Sequence, residues 1–250
     1  MSTDIRSINA YDIPARVASY DADMDVMHPN RAKMVDVVLE FLPFPSDAAF
    51  TVLELGIGTG FFAKRLLETY LAARVIGIDG AESMVEMAAS RLGPLAERVD
   101  FRVGDFRELD RLIRTDEMPA AVLSSYALHH LDREEKLRAV RESVGYLQPG
   151  GWFLNADLLD ADRPVIETRI QQLRIEGIIR RAAAGDDRFA DERVTRRFLD
   201  DMEAREGDQP LSLWTELEVL RQAGLDDACA LWLEYREAVT AGRRSGSPSS

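Results

Sequence analysis

The chain has few of the residues that build disulfide frameworks or metal sites. It contains one cysteine and three histidines among 250 residues. One cysteine excludes an internal disulfide framework and a cysteine-rich zinc site. No set of His, Asp and Cys has the spacing of metal ligands along the sequence. The sequence therefore predicts a cytoplasmic protein without a metal site.

Long apolar runs are also missing. No run approaches the about 20 apolar residues that a membrane span needs. The first residues, MSTDIRSINAYD, lack the basic-then-apolar order of a signal peptide. The formal net charge of −13 means that the chain as a whole does not attract phosphate backbones or anionic lipid. We expect no membrane association, and the charge disfavours nucleic acid as a partner.

Short β-favouring runs alternate with helix-like segments from residue 50 to about residue 157. The predicted strands are 50–55, 74–79, 98–104, 120–125 and 151–157. The predicted helices between them are 61–72, 81–92 and 133–147. This alternation predicts an α/β fold with a doubly wound, Rossmann-like sheet that is mostly parallel.

The remaining sequence predicts helices around this core and a closing hairpin. Residues 163–184 and 191–206 have helical spacing and many charges, so we expect a helical insertion. The runs ACALWLEY and EAVTAGRR predict a terminal antiparallel hairpin, which completes seven strands. We expect a single domain over 1–244 and a disordered tail. Its predicted parts are an N-terminal helical lid (1–45), the core (50–160), the insertion (161–210), a helix with the hairpin (211–244) and the tail (245–250).

The stretch VLELGIGTG, from Val52 to Gly60, is the most specific motif. Glycines between a strand and a helix let a ligand approach backbone N–H groups closely. The spacing departs from the dinucleotide fingerprint, and Glu54 would oppose a pyrophosphate but suits a positive amino group. Asp79 ends the second predicted strand, where a carboxylate can accept from a ribose diol. The motif therefore indicates a nucleoside ligand that carries a cationic group.

Five segments together resemble the class I S-adenosylmethionine-dependent methyltransferases in order and approximate spacing. They are LELGIGTG, GIDGAESMVEMA, VGDFREL, VLSSYALHHL and LQPGGWFLNAD. The resemblance covers residues 50–160 and extends to the terminal hairpin. It implies in-line transfer of the methyl group of S-adenosyl-L-methionine to an O, N or C atom of a small molecule, which leaves S-adenosyl-L-homocysteine. It also implies that the insertion is the acceptor cap.

The resemblance assigns the methionine end of the cofactor to the glycine loop. Gly56, Gly58 and Gly60 would hold it, with Glu54 near the amino group. Arg31, at the start of a predicted helix, can reach the carboxylate as a charge-assisted donor. A solvated arginine in a first helical turn is the competing interpretation.

The adenosine end is assigned to the next two strand ends. Asp79 would hold the ribose, with Gly80 as a further cofactor residue, and Met84 would pack on the adenine. Asp105 would accept from the adenine amino group beside the N–H of Phe106. Both aspartates also suit helix caps, and Met84 suits a core.

The acceptor would lie beyond the fourth strand. The resemblance places Ser124 and Tyr126 on the sulfonium side of the cofactor. His129 is our candidate general base, although the His pair equally suits a helix start. The further substrate-contact candidates are Tyr11, Tyr20 and His130.

Other functions stay open at this point. The layout also resembles transfer RNA wobble-uridine carboxymethyl transferases, which use carboxy-S-adenosylmethionine. A non-catalytic cofactor-binding adapter would keep the same fold, and a nicotinamide-dependent oxidoreductase would need a pyrophosphate loop. The arginines of the insertion suit a solvated helix face, an anionic substrate or a homodimer contact.

Overall fold

The sheet of this computed structural model, which describes residues 6–246, has seven strands. They are β1 (Thr51–Leu55), β2 (Arg74–Asp79), β3 (Val99–Val103), β4 (Ala121–Ser125), β5 (Trp152–Leu158), β6 (Leu225–Glu234) and β7 (Glu237–Arg244). Their order is β3-β2-β1-β4-β5-β7-β6. Strands β1 to β5 pair in parallel, whereas β7 is antiparallel to both β5 and β6. The predicted fold class is confirmed; most of the expected tail, residues 247–250, lies outside the described residues.

The helices alternate with the strands as expected. They are α1 (Arg6–Tyr11), α2 (Pro14–Met27), α3 (Arg31–Phe41), α4 (Phe61–Thr69), α5 (Glu82–Leu92), α6 (Arg133–Tyr146), α7 (Pro164–Arg181), α8 (Glu192–Glu206) and α9 (Leu213–Gln222). Local sequence sets their ends. A capping box of Asp132 and Glu135 begins α6, and Gly93, at φ 51°, ends α5.

Both faces of the sheet are covered. One face packs against α3, α4 and α5 through an apolar cluster that includes Met34, Phe62 and Ala88. The other face packs against α6 and α9, where Val140 and Leu220 are buried. Strands buried on both sides read as nearly continuous apolar runs, which is why β1, β2 and β4 were recognisable in the sequence.

Helices α7 and α8 of the insertion share a separate apolar cluster with the N-terminal helices. Met27 of α2 packs there with Ile175 and Ile178 of α7 and with Leu199 and Met202 of α8. The lid and the insertion therefore form one helical layer. Within residues 6–246, no helix combines the length and apolarity that a membrane crossing requires.

The hairpin begins earlier than the sequence predicts. Strand β6 starts at Leu225, which pairs with Arg244, and the register shifts between Asp226 and Cys229. A β-bulge absorbs the extra residues, so the charged pair Asp226 and Asp227 belongs to a strand that sequence alternation does not show.

An ion pair in the core ties α6 to α9 and β5. The Nζ atom of Lys136, which is fully buried, donates to Glu216 Oε2 at 2.9 Å, and Asn155 Nδ2 donates to the other oxygen, Oε1, at 2.9 Å. A buried charge that loses its partner is strongly destabilising.

We expect Lys136→Met to lower the free energy of unfolding by about 3–5 kcal/mol, because Glu216 is left as an unpaired buried charge. The double variant Lys136→Met/Glu216→Gln keeps an acceptor for Asn155 and removes the charge, so most of the loss is recovered. Urea denaturation of the wild type and both variants measures this. Equal losses in the single and double variants would contradict the interpretation.

Candidate functional site

A cleft opens at the carboxyl ends of β1, β2 and β4, where the strand order reverses between β1 and β4. Open α/β sheets bind ligands at such a switch point. The cleft has a volume of about 840 Å³, part of it open to solvent. The residues of the sequence-based prediction that line it are Tyr11, Tyr20, Arg31, Glu54, Gly56, Gly58, Asp79, Gly80, Met84, Asp105, Phe106, Tyr126 and His130.

The glycine loop between β1 and α4 is held by β2. The N–H groups of Gly56 and Ile57 both donate to the Ile78 carbonyl at 2.9 Å. Asp79 accepts from Gly58 N at 2.8 Å with one oxygen and from Ala81 N at 3.0 Å with the other. A single side chain therefore fixes the loop to the start of α5.

Two glycines of the loop serve different purposes. Gly56 has φ 74°, and a Cβ there would lie 2.5 Å from the Ala127 Cβ. A Cβ at Gly60, also at φ 74°, would lie 3.1 Å from Ala88 of α5, and Gly60 is not among the residues that line the cleft. Its small size therefore serves the packing of α5, and the expected contact of Gly60 with a ligand stays a prediction.

Two carboxyl groups, the buried Glu54 and the half-buried Asp79, meet at the floor of the cleft. Glu54 is 2% exposed, and burial, with a smaller contribution from Asp79, raises its pKa well above the usual range. Burial also raises the pKa of Asp79, although its backbone hydrogen bonds to Ala81 and Gly58 oppose that shift. Such a floor favours a positively charged ligand group, which would relieve both carboxyl groups.

The residues predicted to bind the adenosine end of the cofactor already make contacts within the protein. Asp105 caps a short helix through Arg107 N at 2.9 Å and pairs with the guanidinium of Arg107 at 2.7 Å. Met84 is buried with Val17 and Ala81 and still lines the cleft. Asp105 therefore has both the cap role and a place in the cleft.

The expected role of Ser124 is not supported by its position. Ser124 is fully buried, and its hydroxyl donates to the Leu55 carbonyl at 3.1 Å. The next residue, Ser125, lines the cleft instead. Successive strand residues point to opposite faces, so the sequence-based assignment chose the neighbouring position.

The lid is held to the glycine loop by Asp21 of α2. Its carboxylate pairs with Arg31 at 2.7 Å, accepts from the Thr59 hydroxyl at 3.0 Å and also pairs with Arg91. The Arg31 guanidinium lies 4.0 Å from the centre of the Phe61 ring. Arg31 thus lines the cleft already paired with a carboxylate, and nothing local in the sequence indicates Asp21 as its partner.

A second cavity, which we call the inner chamber, adjoins the cleft beneath the lid and the insertion. It has a volume of about 350 Å³ and shares three walls with the cleft, namely Tyr11, Tyr20 and Tyr126. Its other lining residues include three methionines, His28, His129, Arg174, Glu206 and Asp208. The lining is therefore divided about equally between aromatic, methionine and leucine side chains and charged or histidine side chains.

Tyr126 separates the two cavities in a constrained conformation. Its φ is 49°, and its hydroxyl donates to Glu237 Oε1 at 2.6 Å. Glu237 also accepts from Asn30 Nδ2 at 2.8 Å and lies 3.5 Å from His28 Nδ1. Positive φ in a bulky residue costs energy and often marks a functional site.

His129 lies in the inner chamber, not in the cleft lining. Its Nδ1 lies 2.6 Å from Asp157 Oδ1 and its Nε2 lies 3.7 Å from Asp208 Oδ1. Burial lowers the pKa of His129, but Asp157 and Asp208 prevail and raise it above the ordinary value. Burial, with a contribution from His129, lowers the pKa of His130.

Asp208 was missed by the sequence analysis, as was its contact with both histidines. His130 Nδ1 lies 3.0 Å from Asp208 Oδ1. Although the sequence shows no local metal-ligand spacing, the described residues bring His129, His130 and Asp208 together with ligand atoms within 4.8 Å. Asp157 could have been recognised as a candidate because it ends a predicted strand. Asp208 lies in a loop, where no sequence pattern indicates its role.

We expect Gly56→Ala to lower the free energy of unfolding by about 1–2 kcal/mol for its positive φ and about 1–3 kcal/mol more for overlap with Ala127. Gly58→Ala is the matched control, since its φ is 53° and nothing lies within 4 Å of the added carbon. The double variant Gly56→Ala/Ala127→Gly should recover the overlap term. Equal thermal and urea stabilities of the Gly56→Ala and Gly58→Ala variants would contradict this.

Known proteins match the part of the chain that carries the sequence motifs described above. A family model described as a methyltransferase domain matches residues 52–151. An uncharacterized methyltransferase of Geobacillus sp. strain WCH70 is 31% identical over 161 residues, which are 64% of this chain and 69% of that protein.

Solved structures match over nearly the whole chain. An O-methyltransferase family protein from Burkholderia thailandensis superposes with a TM-score of 0.65 at 20% identity, over 95% of this chain and 64% of that one. Human N-acetylserotonin methyltransferase in complex with S-adenosylmethionine gives a TM-score of 0.61 at 15% identity, over 97% of this chain and 60% of the human one. These similarities show the fold, and this chain spans less than two thirds of both proteins.

Proposed function

The chain belongs to the S-adenosylmethionine-dependent methyltransferases, and from this premise we propose that it methylates a small molecule bound in the inner chamber. The observation that carries the proposal is the junction of the cleft with the chamber at Tyr11, Tyr20 and Tyr126. Methyl transfer is a displacement whose main demand on the protein is alignment of the nucleophile. Two adjoining cavities with a shared wall provide that alignment.

The residues around the glycine loop fit the methionine end of the cofactor. When bound, the cofactor supplies a methyl group activated by a sulfonium. Gly56 and Gly58 would let it approach the loop closely, and the buried Glu54 would bind its amino group. Arg31 would contact the cofactor carboxylate only by sharing its guanidinium with Asp21. The proposal retains Arg31 in that shared role.

The adenosine end would lie against α5 and the lid. Asp79 would accept from the ribose hydroxyls with the lone pairs that its two backbone bonds leave free. Gly80 adjoins Ile8 of α1, since a Cβ at Gly80 would lie 2.7 Å from that side chain. Met84 and Phe106 would contact the adenine. The lid would therefore cover the nucleoside once it is bound.

The position of the chamber, which shares Tyr11, Tyr20 and Tyr126 with the cleft, favours a small acceptor over a polymer. Its space of about 350 Å³ includes a part that is open to solvent. Its aromatic and methionine walls suit an apolar or aromatic body. The human relative, whose name gives N-acetylserotonin as its substrate, supports a compact acceptor. A homodimer through the insertion stays a prediction.

Calorimetry with S-adenosylhomocysteine tests the proposal. We expect the purified chain to bind it at one site and Asp79→Asn to bind it about 10–100-fold more weakly, because a charged acceptor of two hydroxyls is lost. Asp116→Asn, an exposed carboxyl group in the loop before β4, is the control and should bind as the wild type does.

Two outcomes would overturn the proposal. If the chain binds a nicotinamide dinucleotide and does not bind S-adenosylhomocysteine, the proposed cofactor is wrong. Binding of S-adenosylhomocysteine with no methyl transfer to a broad panel of small phenols, amines and acids would leave a non-catalytic adapter. Mass spectrometry of any nucleoside released from the denatured protein distinguishes the plain cofactor from its carboxylated form, which is heavier.

Glu54 makes cofactor binding depend on pH. Its pKa is raised in the free protein, and a bound amino group favours the ionised carboxylate, so binding releases a proton. Affinity should therefore rise as pH rises above the ordinary glutamate range, and it should fall again once the ligand amino group itself loses its proton. Calorimetry at several pH values measures this. A Glu54→Gln variant should show a flat profile over the acidic part of that range, and an equal slope in both proteins would contradict the role of Glu54.

A further inference from the structure

Three side chains converge where the cleft meets the inner chamber. His130 Nδ1 lies 3.0 Å and His129 Nε2 lies 3.7 Å from the same oxygen of Asp208. Nitrogen and oxygen ligands lie about 2.0–2.2 Å from a bound transition metal, and adjacent ligand atoms at that radius are about 3.0–3.5 Å apart. The two separations from Asp208 are therefore close to those of ligands around one cation, and all three atoms lie within 4.8 Å of one another.

Two of these atoms are buried, and each has only the other as a close partner of poor hydrogen-bond geometry. The side chains of His130 and Asp208 are 8% and 7% exposed, and His130 Nδ1 lies 3.0 Å from Asp208 Oδ1 without the angles of a hydrogen bond. Buried polar atoms in native proteins are nearly always satisfied. A cation that both atoms ligate satisfies them together.

The remaining ligand is oriented from behind. Asp157, 2% exposed, engages Nδ1 of His129 at 2.6 Å and itself accepts from Leu158 N at 2.9 Å. This contact places the Nδ1 proton toward Asp157 and leaves Nε2 available as a ligand. A carboxylate behind a ligating histidine is the arrangement that orients such ligands in metal sites.

The loops that carry the ligands are joined by their backbones. Gln209 N donates to the carbonyl of His129 at 2.6 Å. This main-chain hydrogen bond helps to hold Asp208 opposite the histidines, in addition to the contacts between the side chains.

We propose that His129, His130 and Asp208 bind a first-row divalent transition-metal cation. Two imidazole nitrogens and one carboxylate suit zinc, iron or cobalt, whereas magnesium and calcium prefer oxygen ligands. Three protein ligands leave coordination positions open, and His129 and Asp208 both line the inner chamber. An acceptor bound in the chamber would therefore lie next to the cation.

The cation would act on an oxygen of the acceptor, a consequence that rests on the proposed function. Coordination weakens the O–H bond of a hydroxyl acceptor, so that its proton leaves to solvent. The O–CH3 bond then forms while the S–CH3 bond breaks, and that electron pair remains on sulfur. His129 serves here as a ligand, in place of the general base that the sequence analysis expects.

Cobalt binding to the chelator-treated chain tests the site without any cofactor. We expect one Co²⁺ per chain by calorimetry, with visible absorption bands from nitrogen ligation, and no competition by Mg²⁺. Asp208→Asn and, separately, His130→Ala should weaken Co²⁺ binding about a hundredfold or more, and Asp157→Asn about 10–100-fold. Asp200→Asn, the same chemical change at an exposed position of α8, should bind Co²⁺ as the wild type does.

The result can overturn the metal site and leave the proposed function intact. Wild-type binding no tighter than that of folded Asp208→Asn, or equal weakening by Asp208→Asn and Asp200→Asn, removes the site. His130→Gln, which retains the polar side chain, supplies the same comparison if His130→Ala does not fold. S-adenosylhomocysteine binding is measured on the same samples, so loss of the cofactor site is recognised separately.

Discussion

The structure depends on one half-buried carboxylate at the end of β2. Asp79 accepts N–H groups from Gly58 in the loop after β1 and from Ala81 before α5. These bonds hold a loop whose glycines at positions 56, 58 and 60 all have positive φ, which few other residues adopt. Without these two hydrogen bonds the loop would not be held in one conformation. The floor of the cleft, which includes Glu54, would then not be fixed either.

A second carboxylate, Asp21, holds the elements together on the lid side of the cleft. Asp21 of α2 bonds Arg31, Arg91 and Thr59, which belong to three different elements. A carboxylate in the lid therefore reaches the loop whose opposite side is held by a carboxylate in the sheet. Asp21 is already paired with two arginines, so the carboxyl groups that suit a ligand with a cationic centre are those at the floor of the cleft, Glu54 and Asp79. This is the physical link between the glycine loop and a sulfonium cofactor.

Sequence patterns predicted the parts of the fold that depend on local order. Strand β2 was expected at 74–79 and is observed at Arg74–Asp79, and α8 was expected at 191–206 and is observed at Glu192–Glu206. The glycine loop and Asp79 were expected to adjoin because the carboxyl ends of neighbouring parallel strands lie at one edge.

Other features could not be predicted because they depend on long-range contacts or on one residue of register. Ser124 and Ser125 differ only in the face on which each lies, and Gly60 packs on a helix that the local motif does not include. Asp21 and Asp208 lie in segments without a motif. Their partners come from other elements, and only the folded chain places them there.

The arginines of the insertion bear on how the acceptor is selected. Arg174, which lines the inner chamber, pairs with Glu203 of α8, and Arg16 on the lid side pairs with Glu206 and Asp23. A guanidinium already paired with carboxylates offers little net attraction to an anionic ligand. Arg174 and Arg16 would therefore attract an anionic acceptor less than unpaired guanidinium groups would. In the proposed function, selection of the acceptor would then depend more on the tyrosine and methionine walls of the chamber than on these arginines.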